Sequence, residues 1–358
     1  MKNQDITIMD IEHTKDLRRM NEHTSKAIIQ NFKGNSYQIG YSIGRTVKGA
    51  LCDSIYELMG IAGKAYALDL PLTKTCPFLW IEKLPEQYQI EVKGLADGSG
   101  CSLDLIMQWI FLDRLLDGSC TSFIIENNGK AWVGRNNDYI ALKMWMNINI
   151  ISKDDMIPVM LFGTSGDLFS GTGYNKEKIW LHYNWLPVWD TPKQKAYPAY
   201  VFLRMALESC RSIKDVESML KLIPRDGGIN LFVVDGKNNT FAVYECTCNQ
   251  YTKRDAPCSY IAGANHYCIT SVPQGYDYDS TESQIRQKTV EEMLAEMTDT
   301  DFTFNDMQNI LSCVEQNKGF HGTVYANISC PAKDKIYYAC NDFPAASKGL
   351  WEELKWCW

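Results

Sequence analysis

Apolar and polar positions alternate most clearly in the second third of the chain. Residues 121–126 (Thr-Ser-Phe-Ile-Ile-Glu) are short, β-branched and aromatic, which predicts a strand. Asn128-Gly129 follows, a pair that tolerates positive φ and so marks a hairpin turn, and residues 130–135 read as the returning strand. The pattern recurs at residues 230–235 and 240–246 around a Gly236-Lys237-Asn238-Asn239 turn, and at 322–329 and 335–340 around Ala332 to Asp334. Residues 144–152, 157–162, 179–184 and 260–267 also read as strands, with a glycine- and serine-rich loop at 163–173.

The other regions carry helical spacing. After a short strand at 27–32, residues 34–51 set Gly34, Tyr37, Gly40 and Gly44 among apolar residues, the mark of a helix packing closely on a neighbour. Helical patterning continues to about residue 67, and Pro71 and Pro77 make 70–79 a loop. Residues 86–96 are amphipathic and end in a glycine-rich stretch; Ser102 is a candidate N-cap for a helix over 103–116. Helices are also expected at 200–222, with Ser212 capping its second half, at 282–297 and at 304–314. Hairpins favour antiparallel sheets, and helical blocks between them favour a layered α/β arrangement.

Composition narrows the picture. The chain has 358 residues, 45% of them hydrophobic, ample for one large core or two. Its formal charge is −7 with no basic run, so a nucleic-acid partner is not expected. The polar start lacks the apolar core of a signal peptide, and no apolar run matches a membrane span; a soluble, cytoplasmic protein is expected. The 13 cysteines include no Cys-x-x-Cys pair, which gives little support to a metal site, a cofactor cluster or a disulfide framework. Most are expected to act as small buried hydrophobes.

One cysteine stands apart. The hairpin over 121–135 brings Cys120 back to the far end of the returning strand, where Arg135 and Asp138 lie. A two-residue loop sets Cys120 opposite Asn137; a three-residue loop sets it opposite Asp138, and one residue of slip changes the face on which each side chain lies. Either way a thiol, a guanidinium and a carboxylate converge. His266 offers an alternative Cys–His pairing, but no third orienting group is evident for it. For His182, His266 and His321 the simpler expectation is a buried, hydrogen-bonded histidine.

Cys-Thr-Ser-Phe followed by Gly-Arg-Asn-Asn-Asp-Tyr resembles the nucleophile hairpin of the cysteine-type N-terminal nucleophile hydrolases, a group that includes bile-salt hydrolases and the acid ceramidase and N-acylethanolamine acid amidase enzymes. The acyl-coenzyme A:isopenicillin N acyltransferase family is similar over almost the whole chain, including the glycine pattern at 34–44 and the Asn265-His266 pair. The resemblance implies a four-layer αββα sandwich, α/β in class with antiparallel sheets. It implies a mostly helical leader, 1–119, kept as a bound second subunit after self-cleavage, and a catalytic region, 120–358. The scissile bond would be Ser119–Cys120, where the family usually has Gly before Cys. The freed α-amine of Cys120 would be the general base, Asp138 would hold the ammonium or thiol, and Arg135 would stabilise negative charge. Asn265 and then Asn184 are the candidates for the oxyanion. The implied reaction is hydrolysis of an N-acyl amide without metal or cofactor. Acyl transfer to a second amine is the alternative, and a non-catalytic, uncut binding protein is the reading from another class; an oligomer is compatible with each.

Overall fold

The computed structural model describes residues 27–65, 81–112, 118–141, 145–193, 195–256, 258–297, 302–355 and 358. The first segment holds β1 (Ile28–Gly34), α1 (Ser36–Thr46), α2 (Leu51–Ala65), α3 (Glu86–Ser99) and α4 (Leu103–Leu112). The cysteine hairpin follows as β2 (Thr121–Asn127) and β3 (Lys130–Ile140), then β4 (Trp145–Lys153), β5 (Val159–Thr164), β6 (Thr172–Asn175) and β7 (Ile179–Leu186). Next come α5 (Ala199–Ser209), α6 (Ile213–Leu222), β8 (Gly228–Asp235), β9 (Thr240–Cys246), β10 (Tyr251–Arg254) and β11 (Tyr260–Gly263). The chain closes with α7 (Thr281–Met297), α8 (Phe304–Cys313), β12 (His321–Cys330), β13 (Lys335–Ala339), α9 (Ala345–Lys348) and β14 (Glu352–Leu354).

The strands form two sheets, one in the order β1-β4-β5-β6-β7-β8-β9-β10 and one in the order β11-β2-β3-β12-β13-β14. Helices α5 and α6 cover the outer face of the first, and α7 and α8 the outer face of the second. The inner faces meet: Phe162 packs on Tyr338 at 5.6 Å between ring centroids, and Thr172 hydrogen-bonds Tyr325 at 2.9 Å. The result is helix, sheet, sheet, helix, the expected four layers. Among the named strands, pairing is antiparallel except that β1 runs parallel to β4 from Ile28 opposite Asn147 to Gly34 opposite Lys153. The N-terminal region is therefore not only helical: it supplies an edge strand to the first sheet.

Local chemistry sets the boundaries. Asn35 and Gln38 form a capping box at the start of α1, Ser102 Oγ accepts from Leu105 N at 3.2 Å, and Ser212 caps α6. Each such cap is worth about 1 kcal/mol. The expected strand over 260–267 ends at Gly263, because the next residues turn away to bond α7: Asn265 N donates to Ser283 Oγ at 2.7 Å. The short β10, β14 and α9 carry too few residues to show a period. The expected loop at 70–79 and the last turn of the helix expected to reach 116 lie outside the described residues.

The glycine-spaced helix finds its neighbour in α3. A Cβ at Gly40 would lie 1.9 Å from Glu91 O, and one at Gly94 2.4 Å from Tyr37 O. Backbone meets backbone here, so no side chain can give way. One feature departs from expectation: Cys52 and Cys101 are disulfide-bonded, joining α2 to the residues before α4. Among the described residues, no helix is long and apolar enough to cross a membrane.

Gly40→Ala is expected to cost about 1–3 kcal/mol or more, as overpacking does. Gly60→Ala, in α2 with nothing within 4 Å of the added Cβ, should be neutral or stabilise by up to about 1 kcal/mol. Paired denaturant melts check both; equal stability of the two variants would contradict the interlock.

Candidate active site

The β2–β3 turn has two residues, Asn128 and Gly129, at φ 54° and 67°. Thr121 pairs with Asn136 and Asn127 with Lys130. The shorter of the two loop lengths left open by the sequence is thus the one formed, and Cys120 comes opposite Asn137, with Sγ 3.9 Å from Asn137 Oδ1.

Arg135 is the hub. Its guanidinium is 1% exposed. Nη2 donates to Asn137 Oδ1 at 2.6 Å and reaches Cys120 Sγ at 3.5 Å. Nη1 crosses to the other sheet and donates to Tyr183 O at 2.7 Å and Asn184 Oδ1 at 2.8 Å. The planar fork thereby fixes thiol, β3 and β7 at once. Asn184 Oδ1 also accepts from Ser122 Oγ at 3.0 Å, and its Nδ2 donates to Gly263 O at 3.0 Å. Its Oδ1 helps to orient Arg135, and its Nδ2 holds the Gly263 carbonyl.

Asp138 is buried beside the thiol. Oδ1 accepts from Thr323 Oγ1 at 2.6 Å, whereas Oδ2 is buried with no hydrogen-bond partner. Burial raises the carboxyl to about 7, although Arg286, the Thr323 hydroxyl and Arg135 all pull it down. Burial also raises the Cys120 thiol, Arg135 opposes this and the Asp138 charge adds to it. Burial thus disfavours the charged form of both groups, and one oxygen of the Asp138 carboxyl lacks a donor.

A further residue closes the site. Arg286 Nη1 donates to Cys120 O at 2.9 Å and also bonds the Thr121 hydroxyl. Its Nη2 donates to Asn265 Oδ1 at 3.0 Å. So held, Asn265 points Nδ2 at Gly118 O, 3.1 Å, and Trp185 O, 2.8 Å. Cys120, Arg135, Asp138, Asn184 and Asn265 are thus all brought together. Arg286 escaped the sequence reading, although a signal existed: in α7 it falls on the buried face with Val290 and Leu294, an unusual place for a cation without a task.

His266 does not face Cys120 through any hydrogen bond. Nδ1 meets Ser283 Oγ at 2.7 Å, Nε2 lies 3.8 Å from Cys268 Sγ, and burial lowers its pKa. His182 stacks on Phe232 and accepts from Trp180 Nε1 at 2.9 Å. Both are buried, hydrogen-bonded histidines.

A cleft opens over Cys120, Arg135 and Asp138, and Trp185 forms part of its wall. Trp189, four residues on, packs instead on Tyr267 and Tyr276.

A sequence profile of the acyl-coenzyme A:6-aminopenicillanic acid acyl-transferases matches residues 125–344, more than half of the chain. The chain belongs to this acyl-transferase family. The match starts just after Cys120, so it covers Arg135, Asp138, Asn184, Asn265 and Arg286 but not the thiol. No curated protein matches the chain. Among solved structures, this family member is similar to a Caenorhabditis elegans N-acylethanolamine-hydrolyzing acid amidase ortholog at 16% identity and a TM-score of 0.44, over 60% of this chain and 93% of that one. It is similar to a variant of the conjugated bile acid hydrolase from Clostridium perfringens at 17% and 0.47, over 66% and 97%. The penicillin V acylase from Agrobacterium tumefaciens gives 10% and 0.47, over 66% and 86%. Likenesses this distant say nothing of the family member's substrate.

The pH dependence of the uncut protein follows from Asp138. Its carboxyl titrates near 3.8 when unfolded and about 7 when folded. It therefore takes up a proton on folding between these values, and its contribution to stability falls as pH rises from about 4 to about 7. Denaturant melts across this range should show Cys120→Ala losing stability relative to Cys120→Ala/Asp138→Asn. Parallel curves would contradict the burial of an ionisable, half-partnered carboxyl.

Proposed function

We propose that this protein is a self-processing N-terminal nucleophile enzyme that cleaves the amide bond of N-acyl substrates through a thioester on Cys120. The observation that carries the reading is the buried Asp138 Oδ2, which has no hydrogen-bond donor, on a carboxyl whose charge acts on the Cys120 thiol. A freed α-ammonium at Cys120 would supply that donor.

Processing starts in the uncut chain. Cys120 Sγ attacks the Ser119 carbonyl carbon, the C–N bond breaks, and the Cys120 nitrogen takes the thiol proton. Water then hydrolyses the thioester, leaving a Ser119 carboxylate, a Cys120 thiol and a free α-amine. Such an amine titrates at roughly 7.7–8.0, and a base in that range suits proton transfer at neutral pH. Asp138 then carries a cation on its second oxygen, and Arg135 stays beside the sulfur to favour the thiolate.

Turnover uses the same atoms. The α-amine takes the thiol proton, Sγ attacks the substrate carbonyl, and the α-ammonium returns the proton to the departing amine. Water releases the acyl group in the second half. Asn265 Nδ2 is the donor for the oxyanion: one of its two acceptors, Gly118 O, belongs to the segment that processing cuts loose. Arg286 positions this amide from the other side.

The division at 119/120 is part of the proposal. The parallel pairing of β1 with β4 supports retention of the N-terminal part after the cut, because that pairing does not depend on the severed bond. Net hydrolysis is favoured by the hairpin wording Gly134-Arg135-Asn136-Asn137-Asp138-Tyr139. Transfer of the acyl group to a second amine is the other reading, favoured by the family's named activity; exchange products from an amide and a second amine separate the two.

Two outcomes test the reading. Intact mass should show pieces of 119 and 239 residues (358 − 119 = 239), and Cys120→Ala should abolish both the cut and amide turnover. A single uncut mass with turnover intact would overturn it. Asn265→Ala should lower kcat by about 10²–10³-fold with processing slowed, as loss of an oxyanion donor does; an unchanged kcat in steady-state assays would remove Asn265 from that role.

A further inference from the structure

Away from the thiol, four charged side chains are buried together: Glu91 on α3, Lys153 at the end of β4, and Arg204 and Glu208 on α5. Lys153 Nζ lies 2.9 Å from Glu91 Oε2 and 3.2 Å from Glu208 Oε1. Arg204 Nη2 lies 3.2 Å from Glu91 Oε1 and 2.7 Å from Glu208 Oε1. Tyr88 donates its hydroxyl to Glu208 Oε2 at 2.6 Å, and Lys153 Nζ sits 4.7 Å from the Tyr88 ring centroid. Two acids balance two bases, so the group is neutral as a set and strongly charged in its parts. Burial of such a set adds little net stability compared with apolar packing, but it tolerates only one arrangement of the elements that carry it.

Its position relative to the cleft gives it a use. Arg204 Nη1 donates to Leu168 O at 2.6 Å, and the Tyr88 ring packs edge-on against Phe169 at 5.6 Å. Leu168 and Phe169 line the cleft over Cys120, together with Leu58, Trp109 and Ile110 from the N-terminal region. The quartet therefore ties a helix of the N-terminal region to the backbone of the loop that shapes the cleft. Beside the polar Asp167 and Ser170 of the same loop, these five side chains give the cleft an apolar part, which suits a bulky uncharged acyl group.

We propose that Glu91, Lys153, Arg204 and Glu208 are positioning residues: they hold the N-terminal region against the loop at 163–171, and so fit the cleft to a bulky apolar acyl group. The selection of acyl group rests on the amide-cleaving reading above; the positioning does not.

The test uses the full chain carrying Glu91→Gln, which keeps shape and removes one charge, with Tyr88→Phe as a milder second variant should the first fold poorly. For a bulky aromatic N-acyl amide, KM should rise by roughly tenfold, while kcat, the cut at Cys120 and the KM for an N-acetyl amide stay within about twofold. Backbone hydrogen exchange over 163–171 should quicken in both variants without any substrate. Equal KM changes for both acyl sizes, or none, would overturn the selection. Unchanged exchange in that loop would overturn the positioning. If the wild-type protein cleaves no N-acyl amide, the functional reading and the selection fall together, and exchange alone decides the positioning.

Discussion

A guanidinium buried between two sheets is the constraint from which the rest follows. Arg135 leaves β3, bonds the Tyr183 carbonyl and the Asn184 amide on the opposite sheet, and turns its other nitrogen to Asn137 and Cys120. A cation so placed needs acceptors, and backbone and carboxamide oxygens supply them to its two terminal nitrogens. The price is a polar seam in an otherwise apolar interface. The gain is that thiol, carboxylate and both sheets share one reference point, so the geometry at Cys120 cannot drift without breaking the contact between layers.

The same seam explains the electrostatics. Asp138 lies in a space that penalises its charge, and one oxygen has no donor; its carboxyl is pushed up to about 7. The thiol is pushed up as well. In the proposed self-processing, both groups change once the chain is cut. Liberating an amine at Cys120 reverses both effects together, because an ammonium favours the ionised carboxylate and its conjugate amine can accept the thiol proton. On this account, processing is the activation step and not a maturation detail.

Much of this was legible in the sequence because the signals are local. Asn128-Gly129 announces its turn by the φ it tolerates, and the turn alone brings Cys120 to Arg135 and Asp138. The caps at Ser102 and Ser212 rest on contacts within four residues, and the glycines at 40 and 44 announce a close crossing without naming α3 as its partner. What stayed hidden depends on distant pairs. The parallel match of β1 with β4 joins residues more than a hundred positions apart, and no periodicity records it. Arg286 reaches Cys120 across 166 positions, and its own helix shows only a cation on an apolar face. The Cys52–Cys101 bond had no spacing motif to betray it, and the buried quartet draws on three separate elements. The bonds of Asn184 to Arg135, Ser122 and Gly263 could not be read before those partners were known.

The central claim is that Asp138 awaits the α-amine of Cys120. Carbon-13 NMR of the aspartate carboxyls, with Asp138 assigned by its loss in Asp138→Asn, measures this directly in the Cys120→Ala protein and in the cut wild-type protein. The account predicts titration near neutrality in the uncut protein and a shift into the acid range once the amine is free. The same titration in both forms would contradict it, since no cation would then have come to rest on that oxygen.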